Sequence, residues 1–326
     1  MAVNHTRIRV TPDSTIVERL FEKKRLLEAG DARHEMIRPL LIVLGGGMRG
    51  VSGGGAVTAL NLMGLNQVFD MAIGASAGAP IAAYFLAGTE QTYLGTSIFY
   101  DELRGKKFID PWNFKEIANI DWLGETFAKG TKKLDTDAVT THRTKLYIAL
   151  TDYIDGSTQL YPVKDYPDRV VDMLTISSAI PSLYRRTLCF DDRRYLDGTI
   201  AFSVRRIMES ELIKDFSPTD VLLITNTEEQ WVSSPKTYFI ERLAHLFSHH
   251  FERLLLRRIQ LIDDFDYLGS QPDINVGVID APPIPVQVGN LTTDEKKVYT
   301  LGNETLKYAL ESFGKSALYK PLREPA

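Results

Sequence analysis

Apolar residues along the chain gather into short continuous blocks separated by stretches with a longer period. Leu40–Leu44 (LLIVL), Val68–Ile73, Val221–Asn226 (VLLITN) and Ile274–Ile279 are blocks of strand length, as expected for strands covered on both faces. Between them the pattern predicts helices. Thr15–Ala29 carries Ile16, Leu20 and Leu27 on one face, with Thr15 and Glu18 spaced as a capping box and Gly30 where a helix stops. Its charges, Arg19, Lys23, Lys24 and Arg25, are expected on a solvated face. Gly53–Met63 predicts a helix of small residues, and Ala77–Leu86 a wholly apolar helix buried between layers, with Pro80 in its first turn. Further helices are predicted at Arg169–Ser178, at Tyr238–Leu261, and from Thr292, where Thr292 and Glu295 form a second capping box.

Two hairpins interrupt the alternation. Lys145–Thr151 and Thr158–Val163 flank Asp155-Gly156, a strong turn signal, and Arg186–Phe190 with Tyr195–Leu196 flank the polar turn Asp191–Arg193. Gly105–Lys133 is less regular and rich in aromatics (Phe108, Trp112, Phe114, Trp122, Phe127), which would either wall a pocket or pack over the core. Strands otherwise alternate with helices, so the expected fold is α/β: three layers, α/β/α, around a mostly parallel sheet with an antiparallel part. The expected organisation is an N-terminal helical extension (1–39), a catalytic core (40–230), and helices and a strand (231–326) completing the same domain.

Composition narrows the class. The 326 residues are 44% hydrophobic and 25% charged, with a formal charge of −4, which suits a globular protein and argues against nucleic acid as a partner. Cys189 is the sole cysteine, so no internal disulfide forms, and a reducing cytoplasm is expected. The residues after Met1 are polar and form no apolar signal segment, and no apolar run approaches the roughly 20 residues of a spanning helix. Membrane contact, if made, is then peripheral, at the inner membrane. The stretch Phe239–Leu261 sets Arg242, Arg253, Arg257 and Arg258 beside Leu243, Phe247, Leu254 and Leu255, so it could rest on an anionic bilayer or cover the sheet.

Two glycine-rich turns carry the candidate chemistry. Gly74-Ala75-Ser76-Ala77-Gly78 matches G-x-S-x-G between a strand and a helix, a turn that lifts a serine hydroxyl clear of the sheet. Gly45-Gly46-Gly47-Met48-Arg49-Gly50 has three readings. As G-x-G-x-x-G with Asp70 some 20 residues on, it could cradle a dinucleotide, although Asp70 precedes the end of its strand. As an unliganded turn it would do nothing. As an oxyanion hole it would explain the exposed serine turn on the next strand. Among bases for Ser76, the late histidines (His245, His249, His250) lie along a helix rather than on a loop after a strand. Asp197, at a strand end before Gly198, is better placed for a Ser–Asp dyad. His245 and His249 lack the glutamate of H-E-x-x-H, since Leu246 stands there, so no zinc site is expected.

The motifs GGGMRG, GASAG and LDG, in that order and spacing, resemble the bacterial patatin-like phospholipases, as does SSAIPSLY (Ser177–Tyr184). DPWNF (Asp110–Phe114) and IDWL (Ile120–Leu123) resemble the family's single-domain branch. The resemblance implies a patatin-like fold, Ser76 as nucleophile and Asp197 as base. It further implies backbone N–H groups of Gly45, Gly46, Gly47 and Arg49 as the oxyanion hole, supported by Gly50, Gly74, Gly78 and Gly198. The Arg49 side chain would clamp the loop. A lipid ester would be the substrate, with neither cofactor nor metal. Two positions depart from the pattern. Thr199 stands where the family has glycine or alanine after D-G, and the proline usual a few residues later is absent around Val204-Arg205. The competing expectations are a nucleotide-binding oxidoreductase using Gly45–Gly50 and a catalytically idle lipid- or partner-binding module.

Overall fold

The computed structural model describes residues 8–110, 112–113, 116–181, 183–184, 186–226 and 260–325. Eight strands form one sheet in the order β5-β6-β3-β2-β1-β7-β8, with β4 on the free edge of β3. The parallel strands are β1 (Pro39–Val43), β2 (Met71–Ala75), β3 (Lys145–Asp152), β7 (Asp220–Ile224) and β8 (Asn275–Ile279). β4 (Thr158–Pro162) and β6 (Arg193–Leu196) run antiparallel to β3, and β5 (Leu188–Phe190) antiparallel to β6. The antiparallel part is the two hairpins the turn residues predict. Asp191 and Asp192 both have positive φ in the second of them, a conformation that aspartate tolerates.

Helices cover both faces, giving the expected three layers. One face carries α1 (Thr15–Glu28), α2 (Gly50–Leu62), α3 (Gly78–Leu86), α4 (Thr89–Asp101), α5 (Ile120–Ala128), α6 (Thr136–Thr141), α7 (Val170–Ser177) and α10 (Glu295–Ser312) over the larger core. The other carries α8 (Val204–Met208), α9 (Glu211–Phe216) and the helical residues 260–269. Strands β1, β2 and β7 are buried along their whole length, which is why their sequences do not alternate.

Several local expectations shift. The second strand starts at Met71, not Val68, because pairing with β1 begins at Leu40↔Met71; Val68 and Phe69 are buried ahead of it. Thr15 is the first helical residue and Ser14 the N-cap of α1, yet the Ser14 hydroxyl turns back to the Thr11 carbonyl at 2.6 Å, so no capping box forms. α10 begins at Glu295, capped by Asp294, while Thr292 accepts from Gly289 instead. The charged face of α1 is not all solvated. Lys23 is 1% exposed, and its ammonium donates to the carbonyls of His34 and Ile37 and to Asp70 at 2.7, 2.6 and 2.8 Å. Arg19 pairs with the buried Asp220 at 3.3 Å. Helix α4 is not apparent from its pattern: Thr89, Thr92, Thr96 and Ile98 are β-branched and Gly95 interrupts it. Packing against α2 and α3 overrides that weak propensity. The predicted helix Tyr238–Leu261 falls almost wholly outside the described residues.

Candidate active site

Strands β1, β2 and β7 end level with one another, since Val43 pairs with both Gly74 and Ile224. Their next residues, Leu44-Gly45, Ala75-Ser76 and Asn226, therefore emerge side by side at the carboxyl edge of the sheet. In an open parallel sheet this edge is where sites form.

Ser76 sits on the sharp turn from β2 into α3, with φ 52°. Only a glycine at 78 permits the turn, because a Cβ there would lie 2.1 Å from the Val43 carbonyl oxygen. The turn is held from beneath by Ser177, the last residue of α7. Its hydroxyl accepts from the Ser76 N–H at 2.9 Å and donates to the Ala149 carbonyl of β3 at 2.8 Å.

Asp197 arrives from β6, which pairs with Thr151 and Asp152 past the end of β2, on the edge of β3 opposite β4. Its N–H donates to the Ala179 carbonyl at 3.2 Å, Gly198 N–H to the Ser177 carbonyl at 2.9 Å, and Thr151 Oγ1 to the Asp197 carbonyl at 2.8 Å. Gly198 presses on β3: a Cβ there would meet the Ala149 oxygen at 2.0 Å. The Ser177-Ser178-Ala179 segment is thus a brace tying nucleophile turn and aspartate turn to one strand. The result is a hydrogen bond from Ser76 Oγ to Asp197 Oδ2 of 2.6 Å. Ser76 is 3% exposed and Asp197 fully buried. The second oxygen, Oδ1, accepts from Thr199 N–H at 2.8 Å and from Thr199 Oγ1 at 2.5 Å. A buried carboxylate needs such donors in place of water.

The glycine loop lies directly over the serine. A Cβ on Gly45 would be 2.5 Å from Ser76 Cβ. Of the four residues expected to offer N–H groups, Arg49 is not available: its N–H donates to the Gly46 carbonyl at 3.1 Å within a tight turn leading into α2. Met48 N–H likewise donates to the Asn290 carbonyl at 3.0 Å. Gly47 borders the cleft beside Ser76 and takes the left-handed φ of 55°. Helices α2 and α3 both start here, so two positive helix ends converge on the site.

Asn226, read from sequence only as the end of a strand, proves to be the loop's anchor. Fully buried, its Oδ1 accepts from Gly53 N–H in the first turn of α2 at 2.6 Å, and its Nδ2 donates to the Leu44 carbonyl at 2.5 Å. No local pattern marks it, since its partners are some 180 residues away. Ser177 was visible only as part of a family-like segment.

A cleft opens beside Ser76, bounded at its mouth by Gly47, Ser178, Asn290 and Leu291. Inside it is apolar, lined by Pro80, Ile98, Phe99, Leu103, Leu123 and Phe127. About 630 Å³ of space, part of it open to solvent, lies between these walls. An apolar slot of this kind beside a serine is suited to an apolar ligand segment. Of the aromatics between Phe108 and Phe127, these two ends line it; Trp112 is 75% exposed, and Trp122 lies under the Lys107 ammonium.

The dinucleotide reading fares poorly. Asp70 lies just before β2, at the edge opposite Ser76, and its carboxylate is held by Lys23 at 2.8 Å and Arg143 at 2.6 Å. Among the described residues, no three His, Cys, Asp or Glu side chains gather to hold a metal, and no helix is long and apolar enough to cross a membrane. The late histidines and the stretch Phe239–Ile259 lie outside the described residues.

Residues 41–205 match the model of a family described as patatin-like phospholipase. An uncharacterized Escherichia coli K12 protein, YjjU, is 25% identical over 297 residues, covering 85% of this chain and 78% of that one. Among solved structures, VipD from Legionella pneumophila is similar at 14% identity and a TM-score of 0.46, over 85% of this chain and 67% of that chain. The ExoU–SpcU complex of the Pseudomonas aeruginosa type III secretion system is similar at 16% identity and a TM-score of 0.37. That match takes in 86% of this chain but about half, 52%, of the matched one.

Proposed function

This chain belongs to the patatin-like phospholipase family, and on that premise we propose that it is a serine acyl hydrolase cleaving carboxylic esters of lipids through a Ser76–Asp197 dyad. The observation that carries the reading is the 2.6 Å contact of Ser76 Oγ with Asp197 Oδ2 at the mouth of an apolar slot. Asp197 takes the Ser76 proton as Oγ attacks the ester carbonyl. The carbonyl oxygen becomes an oxyanion beside the N–H groups of Gly46 and Gly47 and the two helix ends, donors aimed where charge develops. Collapse expels the alcohol, which leaves with the proton from Asp197, and Ser76 carries the acyl group. A water, deprotonated by Asp197, then attacks the acyl-enzyme and releases the acid. The slot would receive the acyl chain, so the substrate's apolar part is recognised by burial and its ester by the loop.

Such esters reside in lipid aggregates, and we place the reaction in the cytoplasm at a peripheral contact with the lipid surface. Hydrolysis of p-nitrophenyl esters and labelling by a fluorophosphonate probe test the dyad. Ser76→Ala and Asp197→Asn should each lose at least about a thousandfold in kcat. Full turnover in either variant would remove the dyad, and protein that stays in the supernatant with anionic vesicles would remove the surface contact.

A further inference from the structure

Thr199 departs from the family pattern, and by sequence alone that departure leaves a catalytically idle module as one alternative. The geometry points the other way. Its N–H and its hydroxyl both donate to Asp197 Oδ1, at 2.8 and 2.5 Å, while Oδ2 is the oxygen that accepts from Ser76. A carboxylate can turn about its Cβ–Cγ bond; two donors on one oxygen stop that rotation and leave the other facing the nucleophile. The hydroxyl contact is charge-assisted, and a donor to the charged form favours that form. The other branch of the same side chain faces the loop: a Cβ placed on Gly45 would lie 2.6 Å from Thr199 Cγ2 and 2.5 Å from Ser76 Cβ. Thr199 is 3% exposed, and a β-branched side chain is stiff about χ1. Glycine or alanine at 199 would offer neither the hydroxyl nor the Cγ2 methyl.

Resting on the dyad reading above, we propose that Thr199 is a positioning residue for acyl transfer, its hydroxyl holding Asp197 charged and turned toward Ser76 while its methyl props the glycine loop at Gly45. One side chain then links the base to the oxyanion donors, a connection that a D-G-G or D-G-A turn lacks.

The two branches separate by substitution. kcat and KM for p-nitrophenyl butyrate are measured against pH for the wild type, Thr199→Val, Thr199→Ser and Thr199→Ala, with Ser76→Ala as the blank and melting temperatures alongside. Valine keeps the branching and the methyl but donates nothing. Asp197 must be deprotonated to act as base, so losing a donor to its charged form moves the acid limb of kcat/KM upward, by about one pH unit. Serine keeps the donor and loses the methyl, so the limb stays and the kcat plateau falls severalfold. Alanine shows both changes, and as the smaller residue it carries the test if valine fails to fold. Ser76-dependent turnover with an unmoved limb in Thr199→Val and Thr199→Ala overturns the inference alone. A wild-type plateau in Thr199→Ser overturns the role given to the methyl. Wild-type hydrolysis no faster than that of Ser76→Ala overturns the dyad, and this inference with it.

Discussion

Truncating Phe127 should lengthen the acyl chain that the protein prefers. Helix α3 provides the ruler: Ser76 lies just before it, Ala77 and Pro80 line the slot, and Tyr84 does not. We assign the inner end to Phe127, whose ring lines the slot and packs on Tyr84 with ring centroids 6.2 Å apart. The eight residues from Ser76 to Tyr84, at about 1.5 Å each, span about 12 Å and bound the depth of the slot from above. A zigzag chain with bonds of about 1.5 Å advances roughly 1.25 Å per carbon, so at most about ten carbons fit. Each methylene withdrawn from water contributes about 0.8 kcal/mol, close to fourfold in kcat/KM. A series of p-nitrophenyl esters, assayed below their micelle-forming concentrations, should therefore climb by up to about fourfold per methylene to about ten carbons and then level off. Phe127→Ala should move the break outward by about three carbons, the reach of the lost ring. Its cost in stability, about 3–5 kcal/mol, makes Phe127→Leu the gentler companion, with a shift of about one carbon. A break that stays at the same carbon number in both variants, with both still folded by melting curve, would refute Phe127 as the end of the slot.

Two further outcomes follow from groups away from the reacting atoms. Asn226→Ala leaves Gly53 N–H and the Leu44 carbonyl buried without their partner, so thermal unfolding should show a loss of about 2–4 kcal/mol. kcat should fall at least tenfold with KM little changed, because the loop and not the slot is loosened; an unchanged kcat refutes the anchor role. His142 accepts from Thr144 N–H through Nδ1, while its Nε2 is buried without a partner, and burial lowers its pKa to about 4. The fold holds it neutral, whereas the unfolded chain takes a proton near pH 6.5. Its contribution is complete above that pH and is lost as pH falls toward 4, by about 2 kcal/mol once partial access to solvent is allowed for. His142→Gln should flatten that part of a plot of Tm against pH, and a slope identical to wild type would refute the assignment.

What the sequence makes legible here is what depends on near neighbours. The strand–loop–helix units around Gly45 and Ser76 carry their own periodicity and their own glycines, and the Asp155-Gly156 turn announces its hairpin. The Ser76–Asp197 pairing was legible from the place of Asp197 at a strand end and from the resemblance, since nothing local ties two residues 121 apart. What stayed hidden depends on distant partners. Lys23 looks like any surface lysine until Asp70 and two carbonyls surround its ammonium. Arg49 N–H is a plausible oxyanion donor until the loop folds back on Gly46. The two supposed capping boxes have the right letters, but Ser14 and Asp294 take the cap positions one and two residues away from where spacing puts them. Asn226 has no motif at all.

The backbone of Ser76 carries a consequence for anyone selecting variants of this protein. At φ 52° a serine occupies a conformation that costs about 1–2 kcal/mol relative to glycine, which adopts it freely. The residue that does the chemistry is therefore one that thermostability alone would discard. A library screened only for heat resistance should drift toward Ser76→Gly and yield robust, inert protein, whereas a screen that also demands ester turnover would keep the strained serine and find its gains elsewhere.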